Sequence, residues 1–187
     1  GYFRPLVAAA LTPDANTTSE ERIAFFRAVE RFIFLSFRMA ASQSSYQSSE
    51  YYRKTRDVYT GKLFLSEVTA SLITTATNDM DNSINSFITR TDRRFSNGGG
   101  FYDWRDLRYL LFEYEYKKAE ETGIEKLGWT PFTKVEKDKV SIEHILPQTP
   151  TKWYWRNHFR QYTEDEIKIL SGSLGNLLPL SQSVNSA

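Results

Sequence analysis

The stretch Val140-Ser141-Ile142-Glu143-His144-Ile145-Leu146-Pro147-Gln148 is β-branched and apolar up to Ile145, with Glu143-His144 set into it and Pro147 closing it. That composition predicts a short strand ending in a carboxylate and an imidazole. Its companion is Ser173-Leu174-Gly175-Asn176-Leu177-Leu178-Pro179-Leu180, apolar again, with Gly175-Asn176 at its front. Asn185 follows a Ser-rich start that could cap a helix. One carboxylate, one imidazole and two carboxamides on strand, strand and helix form a candidate metal-dependent hydrolytic centre. Alternation along a regular strand puts Glu143 and His144 on opposite faces. A shared site therefore requires the strand to bend or end there, and Pro147 places an ending nearby.

Bulk properties narrow the classes. A chain of 187 residues suffices for one domain or two small ones and can bury a real core. Hydrophobic residues at 40% and charged residues at 25% describe a globular chain. The net charge of +1 announces no nucleic-acid partner through an overall field, so any DNA contact must come from local clusters. The absence of Cys excludes disulfides and thiolate metal sites and leans toward the cytoplasm. No apolar run approaches the ~20 residues needed to span a bilayer, and no signal peptide is visible. Opening on Gly1-Tyr2-Phe3 and stopping at Asn185-Ser186-Ala187, the chain reads as an excised piece of something longer.

Upstream, the periodicity is helical. Pro5 to Leu11 predicts a short helix stopped by Thr12-Pro13. Thr18 and Glu21 form a capping box; in the helix behind it Ile23, Phe26, Val29, Ile33 and Phe37 lie along one stripe, widened by Phe25, Phe32 and Leu35. Glu50 to Tyr59, Leu63 to Ile73, and Asp79 to Arg90 predict three more helices, the last with Met80, Ile84, Phe87 and Ile88 on one face. Asn97-Gly98-Gly99-Gly100 reads as a turn, because no Lys-Ser or Lys-Thr follows to make a phosphate-cradling loop. Asp103 is expected to cap a helix from Trp104 to Lys118, with Leu107, Leu110, Leu111 and Tyr114 at helical spacing. Thr133 to Val140 alternates like an exposed strand or hairpin arm, and Thr163 with Glu166 forms a second capping box for a helix through Leu170. The fold class expected is α+β, mostly α: a helical bundle over 1–122, then a small α+β unit over 123–187 that reads as truncated at its C-terminal end.

The Ile142-Glu143-His144-Ile145-Leu146-Pro147-Gln148 motif, the Leu174-Gly175-Asn176-Leu177-Leu178-Pro179-Leu180 motif and Asn185, in that order, resemble the C-terminal nuclease domain of GmrSD-type restriction proteins, among the HNH, or ββα-metal, endonucleases. The resemblance is sharpest from Val140 to Asn185, and the Trp104-to-Glu115 helix is similar to the one preceding that nuclease. It implies that His144 is the general base, Glu143 an acidic metal ligand, Asn176 the residue bracing the turn between strands, and Asn185 a metal ligand on the helix. His in that final position is common among HNH enzymes; Asn185 departs from it. The resemblance further implies a DNA endonuclease or nickase in bacterial defence, double-stranded phage DNA as substrate, and an N-terminal NTPase module that senses modification and has no counterpart here. The chemistry agrees: an imidazole with a pKa near ~6.5 can deprotonate water at neutral pH, and oxygen ligands suit Mg²⁺ or Mn²⁺ rather than zinc.

The remaining residues divide. Arg90, Arg93 and Arg94, with Arg105 and Arg108, are either a solvated helix end or a phosphate contact, and Lys134, Lys137 and Lys139 could make such contacts too. His158 is expected at the surface or partly packed. Trp153 and Trp155 are expected in the core or between the two parts rather than stacked on bases. The rival reading of the whole is a catalytically degenerate HNH-like module for DNA binding or protein docking.

Overall fold

A computed structural model describes residues 1–12, 17–123, 130 and 140–181. The described helices are α1 (Phe3–Leu11), α2 (Ser19–Ile33), α3 (Ser48–Tyr59), α4 (Leu65–Asn78), α5 (Met80–Ser96), α6 (Leu107–Thr122), α7 (Trp153–His158) and α8 (Glu164–Ser171). Strands β1 (Val140–His144) and β2 (Leu177–Ser181) form a two-stranded antiparallel sheet. The architecture is therefore mostly helical with a small sheet, as the sequence predicts. The chain divides into two compact units, Gly1–Thr89 and Arg90–Ala187. The division falls inside α5, whereas the sequence sets its boundary after residue 122, so α6 belongs with the sheet and packs on β2.

In the first unit the expected capping box starts α2: the Thr18 N–H donates to Glu21 Oε2 at 2.9 Å and the Glu21 N–H to Thr18 Oγ1 at 3.1 Å. The buried stripe of α2 is rotated from the expected one. Phe25, Ala28, Val29 and Phe32 are buried, and Ile23 is 53% exposed. A helix this apolar offers two adjacent stripes, and packing against Leu65, Val68, Leu72 and Ala76 of α4 selects between them. Beyond Ile33 the chain continues as a π-helical turn, Phe34–Met39, in which the Ala40 N–H reaches the Leu35 carbonyl. Tyr51 of α3 is fully buried among Tyr2, Phe3 and Phe32. On α5 the face expected inside is partly open, with Ile84 and Ile88 exposed and Ser83 and Thr91 buried instead.

In the second unit Asp103 does not cap α6. A 3-10 turn, Gly100–Asp103, comes first, and Trp104 then takes extended backbone with its indole buried. The helix starts only at Leu107, so burying that indole outweighs the local capping preference. Among the described residues, Leu107 and Leu111 of α6, Val140, Leu146 and Leu177 supply the rest of this unit's buried apolar side chains. Tyr114, expected on the same stripe, is exposed. The second capping box holds, with the Thr163 N–H donating to Glu166 Oε2 at 2.7 Å. Of Thr133 to Val140, all but Val140 lies outside the described residues.

Candidate functional site

The second unit is built around the β1–β2 ladder. Its register pairs Val140 with Ser181, Ile142 with Pro179, Glu143 with Leu178 and His144 with Leu177. Opposed residues of an antiparallel pair share a face. Leu177 is 4% exposed and Leu178 39%. The imidazole therefore belongs to the packed face and the carboxylate to the open one, as strand alternation requires. His144 is the last residue of β1.

Directly after it, the chain is held by Asn176. The Ile145 N–H donates to the Asn176 carbonyl at 3.0 Å. The Leu146 N–H donates to Asn176 Oδ1 at 2.6 Å, and Asn176 Nδ2 donates to the Leu146 and Ser171 carbonyls at 2.9 Å each. Asn176 is buried, and both amide hydrogens are used on backbone. Its side chain thus fixes the departure of the chain from β1.

The His144 ring packs against Tyr102, with centroids 4.5 Å apart and planes inclined by 50°. Tyr102 sits in the 3-10 turn, which the Phe101 N–H anchors to the Gly172 carbonyl at 2.8 Å. Gly100 has φ +55, and a Cβ there would lie 2.7 Å from the Gly172 oxygen and 2.8 Å from its Cα. The glycine turn thus permits the backbone contact that brings Tyr102 to the imidazole. No sequence signal distinguishes Tyr102 from the chain's other tyrosines; only the long-range Gly100–Gly172 approach reveals it.

His144 Nε2 is buried and has no hydrogen-bond partner among the described residues. Burial pushes the His144 pKa below the usual histidine value, with the neighbouring Glu143 charge opposing the shift. The ring is accordingly neutral at neutral pH. Gln148, at the end of the motif, lines a separate cavity of about 610 Å³ with Ser96, Asn97, Asp165 and Lys168.

Of the cations, Arg93 is exposed in the last turn of α5, and Arg90 and Arg94 are half-buried. Burial and the nearby Arg94 charge lower the Arg90 pKa, against Asp106. Asn185 and Lys139, with Lys134 and Lys137, lie outside the described residues. Among the described residues no three His, Asp or Glu side chains gather into a metal cage. Glu143 is the single expected ligand that falls within them.

Of the two tryptophans expected in the core or between the two parts, one departs from that expectation. Trp155 is half-buried, while Trp153 is 75% exposed and so is not a core residue.

No helix among the described residues is long and apolar enough to cross a membrane. No curated protein and no solved structure matches the chain. Residues 89–187, more than half of the 187, match the family model described as the GmrSD restriction endonucleases, C-terminal domain. The match opens one residue before the second compact unit and contains the His144, Asn176 and Tyr102 geometry. The chain belongs to the family of GmrSD restriction endonucleases through their C-terminal domain, and its function is related to restriction endonucleolysis.

Proposed function

We propose that the second unit is a metal-dependent DNA endonuclease or nickase of the HNH, ββα-metal kind, working in the cytoplasm of a bacterium against phage DNA. The observation that carries this reading is His144. A neutral imidazole whose Nε2 has no partner among the described residues stands at a strand end, next in sequence to a carboxylate on the opposite face, in a restriction-endonuclease family domain. A neutral imidazole can accept a proton from water as it attacks a phosphodiester. Tyr102 holds the ring, and Asn176 holds the backbone that follows it.

Glu143 and Asn185 would hold Mg²⁺ or Mn²⁺, their oxygen donors suiting a hard cation. The cation would supply charge neutralisation at the phosphate. Arg90, Arg93, Arg94 and Lys139 would contact backbone phosphates of double-stranded DNA. An NTPase module of the full-length protein would supply recognition of modified DNA.

The test is plasmid nicking with Mg²⁺ or Mn²⁺, comparing the parent chain with His144→Ala. Loss of a general base lowers the rate by roughly 10²–10⁴-fold. Equal rates in the two proteins remove His144 from the mechanism. A second reading, a catalytically degenerate module for DNA binding or docking, draws on the ladder register that sets Glu143 and His144 on opposite faces. It predicts no nicking by either protein and retained binding by both.

A further inference from the structure

The chain as a whole is balanced, with 24 basic and 23 acidic residues. From His144 to Thr163 it is not: this run contains Lys152, Arg156 and Arg160 and no Asp or Glu. None of the three cations forms an ion pair among the described residues. The same run carries Trp153, Tyr154, Trp155, Phe159 and Tyr162.

These aromatic residues sort into two layers. Trp155 and Phe159 are half-buried and face one another, with ring centroids 6.0 Å apart, and Phe159 meets Tyr162 at 5.9 Å. Trp155 and Phe159 root the segment, Tyr162 being itself 41% exposed, and Tyr154 leans on Trp155 with centroids 5.1 Å apart. Trp153 is 75% exposed and Tyr154 51%. On α7, Trp153 and Arg156 are three residues apart and share a face. An indole that packing does not need thus stands in line with an unpaired guanidinium.

We propose that the 152–162 segment grips unpaired DNA, with Trp153 and Tyr154 stacking on bases and Lys152, Arg156 and Arg160 holding the flanking phosphates. The inference rests on the reading of residues 89–187 as a domain acting on DNA and deepens it by naming a surface and the form of DNA it takes. Exposed aromatic faces among cations suit single strands, because each base offers a π-face once it leaves the duplex stack. The one-signed charge complements phosphate and opposes a basic partner. α7 is six residues long, too short to lay an apolar face along a membrane, and Arg156 shares the face of Trp153.

The test uses the intact chain in chelator, so that binding is read without cleavage. Fluorescence anisotropy measures affinity for a labelled oligothymidylate and for a duplex of the same length. Trp153→Ala is expected to weaken single-strand binding about tenfold, the range for loss of one stacked base, and duplex binding by far less. Trp153→Phe should retain most of the affinity. Neutralising Arg156 or Arg160 to Gln should each flatten the salt dependence on single strands by a slope of about 0.7. Because the indole is exposed, the melting temperature of Trp153→Ala should equal the parent's, which separates binding from folding.

Unchanged single-strand affinity in Trp153→Ala, with the parent binding DNA, overturns this inference and leaves the nuclease reading standing. Equal losses on both DNAs overturn base stacking. Trp153-dependent binding to phosphatidylserine vesicles, with DNA binding unaffected, assigns the patch to a membrane surface instead. A parent chain that binds neither DNA overturns the underlying reading as well.

Discussion

Replacing Asn176 by Ala should cost far more stability than its place in a Gly-Asn turn suggests. The side chain makes three hydrogen bonds to backbone from a buried position, two of them with Leu146, which is itself buried. At about 1 kcal/mol for each bond the loss is about 3 kcal/mol. The stranded Leu146 N–H adds to this, since an unsatisfied buried donor costs about 1–3 kcal/mol. For a chain of this length each kcal/mol lowers Tm by roughly 2–4 °C, so the fall should be at least about 6–12 °C. Hydrogen exchange localises the effect, because the Leu146 amide should lose its protection while the amides of α2 keep theirs. Asn176→Asp separates donor from acceptor. It keeps an oxygen for the Leu146 N–H but turns a second oxygen toward the Leu146 and Ser171 carbonyls. It should be destabilised at neutral pH and partly recovered in acid, where a protonated carboxyl can donate. A loss below about 1 kcal/mol in Asn176→Ala, with the Leu146 amide still protected, would refute the bracing role.

Three further outcomes follow from the same geometry. Gly100→Ala should cost about 1–3 kcal/mol or more, combining left-handed strain with the approach to Gly172, whereas Gly98→Ala, at φ +87 in open space, bears the strain alone; denaturant midpoints compare them. Tyr102→Ala should move the His144 ring-proton resonances downfield by removing the ring current of a neighbour 4.5 Å away, Tyr102→Phe should not, and the only other imidazole, His158, can be deleted to assign them. The Thr163 backbone N–H, then its hydroxyl, holds the Glu166 carboxyl below the usual range, so the cap stabilises α8 above the unfolded Glu value of about 4.3 and is lost as the pH falls through the lower folded one. Amide exchange in α8 across that window should follow the loss, and Glu166→Gln should abolish its pH dependence.

The sequence alone determined what local chemistry controls. Both capping boxes follow from a hydroxyl and a carboxylate three residues apart, which need no tertiary partner. The strand at Val140–His144, the helical character of the first hundred residues and the family itself were likewise legible, because β-branched runs, 3.6-residue periodicity and two ordered motifs are properties of neighbours along the chain. Tertiary structure decided what depends on residues far apart. Which stripe of α2 is buried was settled by α4, not by α2. Trp104 delayed the start of α6 because its indole had a core to enter, and Trp153, of the same residue type, had none. The contact between Tyr102 and His144 rests on two glycine backbones, at 100 and 172, meeting without side chains between them. A pattern along the chain can record which residues tolerate burial or close approach, but only the packed fold supplies the surface against which that tolerance is used.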